Sequence, residues 1–182
     1  MKLGAVAAAL VLVFAATAAA QTPAEPPGYR LDDYRAPVPA TLRGARVLST
    51  DEALALWRDK TAAFVDVLPR APRPAGLPKD AVWRDKPRFD IPGSVWLPDT
   101  GFGALSDATL RYFLAGLARV TAGDKSRLIV FYCLADCWMS WNAAKRALTL
   151  GYANVGWYPE GADGWEKAGH PLEPRAPESR GD

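Results

Sequence analysis

The sequence predicts an α/β domain with a mainly parallel central sheet flanked by helices, and three observations carry that expectation. Short apolar runs recur at residues 63–68, 128–133 and 155–158, each the length of one strand and nearly continuous in hydrophobicity, as a strand covered on both faces has to be. Segments with helical signals lie between them, at 49–60, from Ser106 onward and at 142–150. Strands that alternate with helices need crossover connections, hence parallel pairing, and they place ligands just beyond the carboxyl ends of the strands.

Taken in order, residues 46–48 can form a short strand. Ser49-Thr50-Asp51-Glu52 is a capping box, in which Ser and Glu side chains satisfy free N–H groups at the start of a helix running to about Lys60. In the run 63–68 (Ala-Phe-Val-Asp-Val-Leu), Asp66 interrupts the apolar residues. A carboxylate there is a hydrogen-bonded structural group or a site residue, and the structural role is favoured. Residues 69–90 form a long proline-containing loop carrying Arg70, Arg73, Lys79, Arg84, Lys86 and Arg88, a length typical of functional or mobile loops. Residues 94–97 can form another strand. Ser106 then caps a helix with Leu110, Phe113, Leu114 and Leu117 at i, i+3, i+4, i+7 spacing. The strongest strand, 128–133, precedes a helix over 142–150 that ends at Gly151.

The chain has 182 residues, 49% hydrophobic and 23% charged, with 22 Lys+Arg against 20 Asp+Glu. That balance is globular and argues against nucleic acid as a partner, which would select a basic stripe. Two cysteines and one histidine cannot fill a four-ligand zinc site or build a disulfide scaffold, so neither a metal nor another cofactor is expected. The chemistry must come mainly from the two thiols.

Residues 1–20 combine one cation, Lys2, with an apolar run over 5–20 and small residues at Ala18, Ala19 and Ala20, the make-up of a secretory signal peptide. The run is shorter than the ~20 residues of a typical membrane span, so no membrane association is expected after cleavage. The remaining chain is expected in a disulfide-permissive compartment, read as the bacterial periplasm. Residues 21–42, with Pro23, Pro26, Pro27, Pro37 and Pro39, are expected to form an extended arm. Its Tyr29 and Tyr34 can anchor it to the chain's own core or to a partner, the former being the commoner use. The domain proper is expected over 43–172, and 173–182 as a disordered tail.

The segment Cys133-Leu134-Ala135-Asp136-Cys137-Trp138-Met139-Ser140 lies between the best strand and a helix whose expected N-cap is Ser140. Loop N–H groups and the positive end of a helix favour a thiolate over a thiol. Cys133 is therefore expected to be the reactive nucleophile. The structural alternative is an inert cysteine closing a strand.

Cys133 after an apolar strand, Ser140, the helix to Gly151-Tyr152, Asn154-Val155, Glu160-Gly161, Trp165 and Ala168-Gly169 together resemble the rhodanese-like domain. Phe64-Val65-Asp66-Val67 looks like that family's strand ending in Asp-Val, and Ile91-Pro92-Gly93-Ser94-Val95 like its Ile-Pro-Gly-Ala segment. With Cys137-Trp138 and the arm around Gly28-Tyr29-Arg30, the match narrows to a periplasmic subfamily with a CXXCW motif, associated with PQQ-dependent catabolism. The chain departs from the family pattern in three places. The loop is one residue longer than the usual sulfurtransferase loop, it lacks the Arg often found before the Ser, and Phe89-Asp90 replaces a frequent Gly-His pair. The phosphatase branch of the family needs a phosphate-clamping Arg where this chain has Met139, which argues against phosphatase activity.

The resemblance implies Cys133 as nucleophile and Ser140 as cap. The expected chemistry is sulfurtransfer through a Cys133 persulfide, or Cys133/Cys137 thiol–disulfide exchange. Leu134, Ala135, Asp136, Trp138, Met139 and Ser140 are then the expected substrate-binding residues, and a small sulfur donor or a thiol the expected partner. A PQQ-dependent dehydrogenase system is a further expected partner, without PQQ as a cofactor of this chain. Two alternatives stand beside these: a noncatalytic assembly module for that system, and Cu(I) handling by the two thiols with Met139.

Overall fold

In the computed structural model, which describes residues 22–83 and 87–180, eleven elements follow in chain order. They are β1 (Arg46–Val47), α1 (Thr50–Arg58), β2 (Ala63–Asp66), β3 (Arg88–Asp90), β4 (Val95–Trp96), α2 (Asp107–Thr121), β5 (Ile129–Tyr132), α3 (Trp138–Thr149), β6 (Val155–Trp157), α4 (Gly161–Lys167) and β7 (Glu173–Arg175). Five of the strands form one sheet in the order β1-β6-β5-β2-β4, every pair parallel. The expected signal peptide, 1–20, lies outside the described residues.

Alternation along the strands divides the apolar residues between two helical layers. Val65, Ile129, Phe131, Cys133 and Trp157 join Phe113 and Leu117 of α2 and Ala143, Ala144 and Ala147 of α3 in one buried cluster. Phe64, Val130, Tyr132 and Tyr158 join Ala53 of α1 and Ala162 and Trp165 of α4 in the other. The sheet is thus covered on both faces, which explains why its strands lack polar alternation in the sequence.

Helix starts follow local chemistry. Both halves of the capping box form: Ser49 Oγ accepts the Glu52 N–H at 3.3 Å, and Glu52 Oε2 accepts the Ser49 N–H at 2.9 Å. Ser106 caps α2 by accepting the Thr109 N–H at 3.2 Å. The buried face of α2 is carried by Tyr112, Phe113, Gly116 and Leu117, with Leu110 and Leu114 only half-buried at its edges.

Several expectations need correction. Helix α3 begins at Trp138 with Cys137 as its N-cap, so Ser140 lies inside the first turn and caps nothing. Its hydroxyl instead donates to the Cys137 carbonyl at 3.2 Å and accepts the Trp157 indole N–H at 3.1 Å. The loop over 69–90 contains β3, and the tail over 173–182 is not disordered throughout. Residues 173–175 pair antiparallel with β3, Pro177 bridges Trp96, and the Glu178 N–H donates to the Trp96 carbonyl at 2.9 Å. Pro174 is tolerated because a two-stranded ribbon leaves its missing N–H on an open edge.

The proline-rich arm lies on the domain. Tyr29 sits under the Arg146 guanidinium, 4.5 Å from ring to Cζ, and Tyr34 packs edge-on to Phe102 at 5.4 Å.

Candidate active site

Strand β5 ends at Tyr132, and the next residue turns its side chain into the layer between sheet and α3, where Cys133 is wholly buried. Its backbone is held from two sides. The Cys133 carbonyl accepts the Ala162 N–H at 2.9 Å and faces Arg88 Nη2 at 3.5 Å. Gly161 packs against it so closely that a Cβ at 161 would stand 2.5 Å from the Cys133 oxygen. With φ at +56° as well, position 161 requires glycine.

From Cys133 the chain crosses to α3 in a tight loop. Leu134 bridges Gly161, the Ala135 N–H donates to Asp163 Oδ2 at 3.1 Å, and Asp136 takes a left-handed conformation with φ at +49°. Asp136 is exposed, Leu134 and Ala135 are half-buried, and Cys137, Trp138, Met139 and Ser140 are all buried. The expected substrate-binding set is therefore split. Trp138 packs edge-on to Trp141 at 5.4 Å, and Met139 lies against the backbone of Gly101. Neither Met139 nor Ser140 presents a face to an incoming ligand.

The two thiols are free and buried. The Cys133 sulfur lies 3.5 Å from the Cys137 carbonyl oxygen and 3.7 Å from the Leu134 carbonyl oxygen, donating to both acceptors. That surrounding suits S–H and penalises S⁻, and burial pushes the Cys133 thiol well above its ordinary range. Cys137 is the opposite case. Its interaction with the Cys133 thiol, together with the Met139 and Leu134 N–H groups, outweighs burial and lowers its pKa to about 7. No side-chain cap bond closes at Cys137. The lowered pKa expected for Cys133 falls to Cys137 instead.

Beneath the loop lies a charge cluster of Asp66, Arg88 and Asp90, of which the sequence suggested a structural role for Asp66 alone. Asp66 and Asp90 are both fully buried. Asp66 Oδ1 accepts the Leu68 N–H at 2.8 Å, and Oδ2 accepts Arg88 Nε at 2.5 Å. Arg88 Nε also stands 3.0 Å from Asp90 Oδ1, yet its N–H is already engaged by Asp66 and neither Asp90 oxygen accepts a hydrogen bond. Two buried carboxyls facing one guanidinium retain a proton. Burial first, and the Asp66 charge second, push the Asp90 pKa up to about 9. Nearby, Tyr132 donates to Ser94 Oγ at 2.8 Å and accepts the Ile91 N–H at 3.1 Å. Arg88 thus joins the carboxyl pair to the Cys133 carbonyl. The signal for Asp90 was its place beside the apolar Ile91-Pro92, where a solvated loop carboxylate is out of character.

The arm closes the site from outside. Arg35 forms an antiparallel bridge with Cys137, the Trp138 N–H donates to the Tyr34 carbonyl at 2.9 Å, and Trp138 Nε1 donates to the Pro37 carbonyl at 3.1 Å. Cys137 is left 2% exposed. Among the described residues no group of three or more His, Cys, Asp or Glu side chains is placed to hold a metal ion, and no helix is long and apolar enough to cross a membrane.

The chain is similar to three solved structures among others. A thiosulfate sulfurtransferase from Pseudomonas aeruginosa shares 23% identity over 72% of this chain and 20% of its own, with a TM-score of 0.46. A polysulfide-sulfur transferase homodimer from Wolinella succinogenes shares 17% over 73% of this chain and 81% of its own, with a TM-score of 0.43. An uncharacterized protein from Saccharomyces cerevisiae shares 20% over 69% of this chain and 93% of its own, with a TM-score of 0.43. No curated protein matches the chain. The Rhodanese-like domain family matches residues 49–168, from the cap of α1 to the end of α4, and the chain belongs to that family.

Proposed function

We propose that this rhodanese-like protein carries thiol–disulfide exchange, with Cys137 as the attacking thiolate and Cys133 as the resolving thiol, in the periplasm and in association with PQQ-dependent alcohol catabolism. The observation that supports the chemistry is the placement of the two sulfurs. Cys133 is wholly buried and donates to two carbonyl oxygens. Cys137 is instead the N-cap residue of α3, where the helix end favours a thiolate, and its pKa is lowered to about 7, chiefly by the Cys133 thiol. A thiolate is the nucleophile in exchange, and a thiol with pKa near ambient pH is the most effective one. This reverses the roles expected from the resemblance. A persulfide anion on Cys133 would meet two carbonyl oxygens, so sulfurtransfer through that sulfur is the weaker reading. The periplasmic location is supported by the signal-like composition of 1–20, and the PQQ association by the resemblance around Cys133, Cys137 and Trp138.

In the proposed cycle the Cys137 thiolate attacks one sulfur of a partner disulfide and displaces the other as a thiolate. Cys133 then passes its proton to the partner thiolate displaced in the first step and attacks the Cys137 sulfur. The second partner thiol leaves, and two electrons have passed from the pair to the partner as Cys133–Cys137 forms. Intact mass after treatment with oxidised glutathione tests the proposal. A loss of two hydrogens that disappears in Cys137→Ser and becomes a trapped glutathione adduct in Cys133→Ser is the expected result. A gain of one sulfur after thiosulfate, dependent on Cys133 alone, would restore the sulfurtransfer reading. Unimpaired growth on the relevant alcohol with both cysteines replaced would favour an assembly role instead.

A further inference from the structure

The arm over 22–42 lies outside the matched family domain, and the way α3 holds it is unusual in one respect: nearly every polar contact goes to the arm's main chain. Asn142 pairs with both main-chain groups of one residue, accepting the Arg30 N–H at 2.9 Å and donating to the Arg30 carbonyl at 2.9 Å. Lys145 Nζ donates to the Pro26 carbonyl at 2.9 Å. Trp138 Nε1 donates to the Pro37 carbonyl and Trp141 Nε1 to the Thr41 carbonyl, each at 3.1 Å. Indole and amide donors aimed at the carbonyls of an extended proline-rich segment are the recurring means by which proteins bind such peptides, because the segment has little conformational entropy to lose. The arm's side chains add stacking contacts, Arg30 over Trp138 and Tyr29 under Arg146, but the hydrogen bonds from α3 go to main-chain groups that any extended segment carries.

The register gives this groove a relation to the chemistry. The Arg35–Cys137 bridge and the bond from the Trp138 N–H to the Tyr34 carbonyl lay an extended strand antiparallel across the residue that carries the low-pKa thiol. The arm folds over Trp138 and itself forms most of the wall of a cleft of about 370 Å³ there, through Pro23, Pro26, Tyr29, Arg30 and Leu31.

We propose that α3 and the Cys137 loop form a docking groove for an extended polypeptide segment, held in the resting protein by the chain's own arm, and that the disulfide reduced by Cys137 is carried on such a segment of a partner protein. The inference rests on the thiol–disulfide reading above. The arm is a stand-in for the partner: its Tyr34-Arg35 strand occupies the place the partner's disulfide-bearing strand takes, and it withdraws when that strand binds. Electron flow is that of the cycle already given, with the partner disulfide as oxidant.

The test uses the full secreted chain. Asn142→Ala removes both bonds to Arg30 and the buried bond to the Gly101 carbonyl, whereas Lys145→Ala, a milder change, removes the bond to Pro26; near-UV circular dichroism checks the fold of each. Iodoacetamide labelling of Cys137, mapped by mass, should accelerate about tenfold in Asn142→Ala, the shift expected from losing two ordinary hydrogen bonds, and by a smaller factor in Lys145→Ala. Unchanged labelling in both variants overturns the shielding role. Two disulfide probes then test the partner class: oxidised glutathione, and a peptide of residues 28–40 with Arg35→Cys in mixed disulfide with glutathione. The peptide should react about fivefold faster in Lys145→Ala than in the parent, because the bond lost there is to Pro26, outside the peptide, and the unmodified 28–40 peptide should inhibit. Equal rates without inhibition overturn the groove and leave the thiol reading standing. Failure of Cys137 to react with either probe, in a variant whose Cys137 labels freely, overturns the thiol reading itself.

Discussion

Cys133 and Cys137 hold opposite electrostatic positions within one tight loop: the first is sealed against carbonyl oxygens, and the second stands at the N-terminus of α3 with its pKa lowered chiefly by the first. A single proton accounts for the asymmetry. While both sulfurs are protonated, the Cys133 S–H points to the carbonyls; once Cys137 ionises, its sulfur becomes the stronger acceptor.

That relationship predicts the outcome of Cys133→Ala. Labelling of Cys137 follows its thiolate fraction, so in the parent protein the rate should rise with pH through about 7. Removing the Cys133 thiol removes the largest lowering influence and moves the midpoint up. At pH 7 labelling should slow by about tenfold if the pKa returns to the ordinary thiol range, and should recover near pH 9. A variant that labels as fast as the parent at pH 7 would show that helix and loop amides, not Cys133, control the thiolate.

The buried carboxyl pair predicts an inverse dependence of stability on pH. Asp90 keeps its proton in the folded protein up to about pH 9, whereas unfolded it releases it near 4. Between those values the unfolded chain binds fewer protons, so this group makes stability fall as pH rises. Asp90→Asn retains a donor toward Asp66 and removes the titration. Its urea midpoints at pH 5 and pH 8 should differ less than those of the parent. Arg88→Met is the contrasting change, leaving Asp66 buried without its cation at a cost of about 3–5 kcal/mol.

Much of this architecture was legible because it is written in patterns short enough to read. The apolar runs of β2, β5 and β6 and the capping box at Ser49 appear where their chemistry places them. Even the burial of Cys133 follows from alternation, since Ile129, Phe131 and Cys133 occupy one side of the strand and that side meets α3. The start of α3 was hidden because it has no polar cap: a cysteine occupies the N-cap, and Trp138 and Met139 in the first turn resemble loop residues exposed for binding. Strand β7 was hidden by Pro174, and β3 by the prolines around it. The roles of the two sulfurs depend on which backbone groups face them, and residue spacing does not encode that.

Met139→Arg separates the observed loop from one built to clamp an oxyanion. Met139 is 6% exposed and packs on Gly101, so the new guanidinium would be driven into the layer between α3 and the 97–103 segment. The expected result is loss of stability by several kcal/mol, as for an unpaired buried charge, with no gain in phosphate affinity. Phosphate titration followed by Trp fluorescence checks it, tighter binding in a folded variant being the outcome that would return Met139 to the loop's open face.

Ser140→Ala tests whether this hydroxyl positions the thiols or merely fills space. Ser140 Oγ donates to the Cys137 carbonyl and accepts the buried Trp157 N–H, and its interaction with Cys133 lowers that thiol's pKa. Alanine leaves the Trp157 N–H without an acceptor inside a fully buried layer, which should cost about 1–3 kcal/mol in urea unfolding and alter the Trp157 environment seen by near-UV circular dichroism. The same change withdraws a stabilising contact from the Cys133 thiolate, so the resolving step should slow while Cys137 labelling stays near the parent rate. Stopped-flow measurement of the two phases of reaction with oxidised glutathione separates them: a slowed second phase with an intact first supports a positioning role, and equal slowing of both would reduce Ser140 to a packing residue.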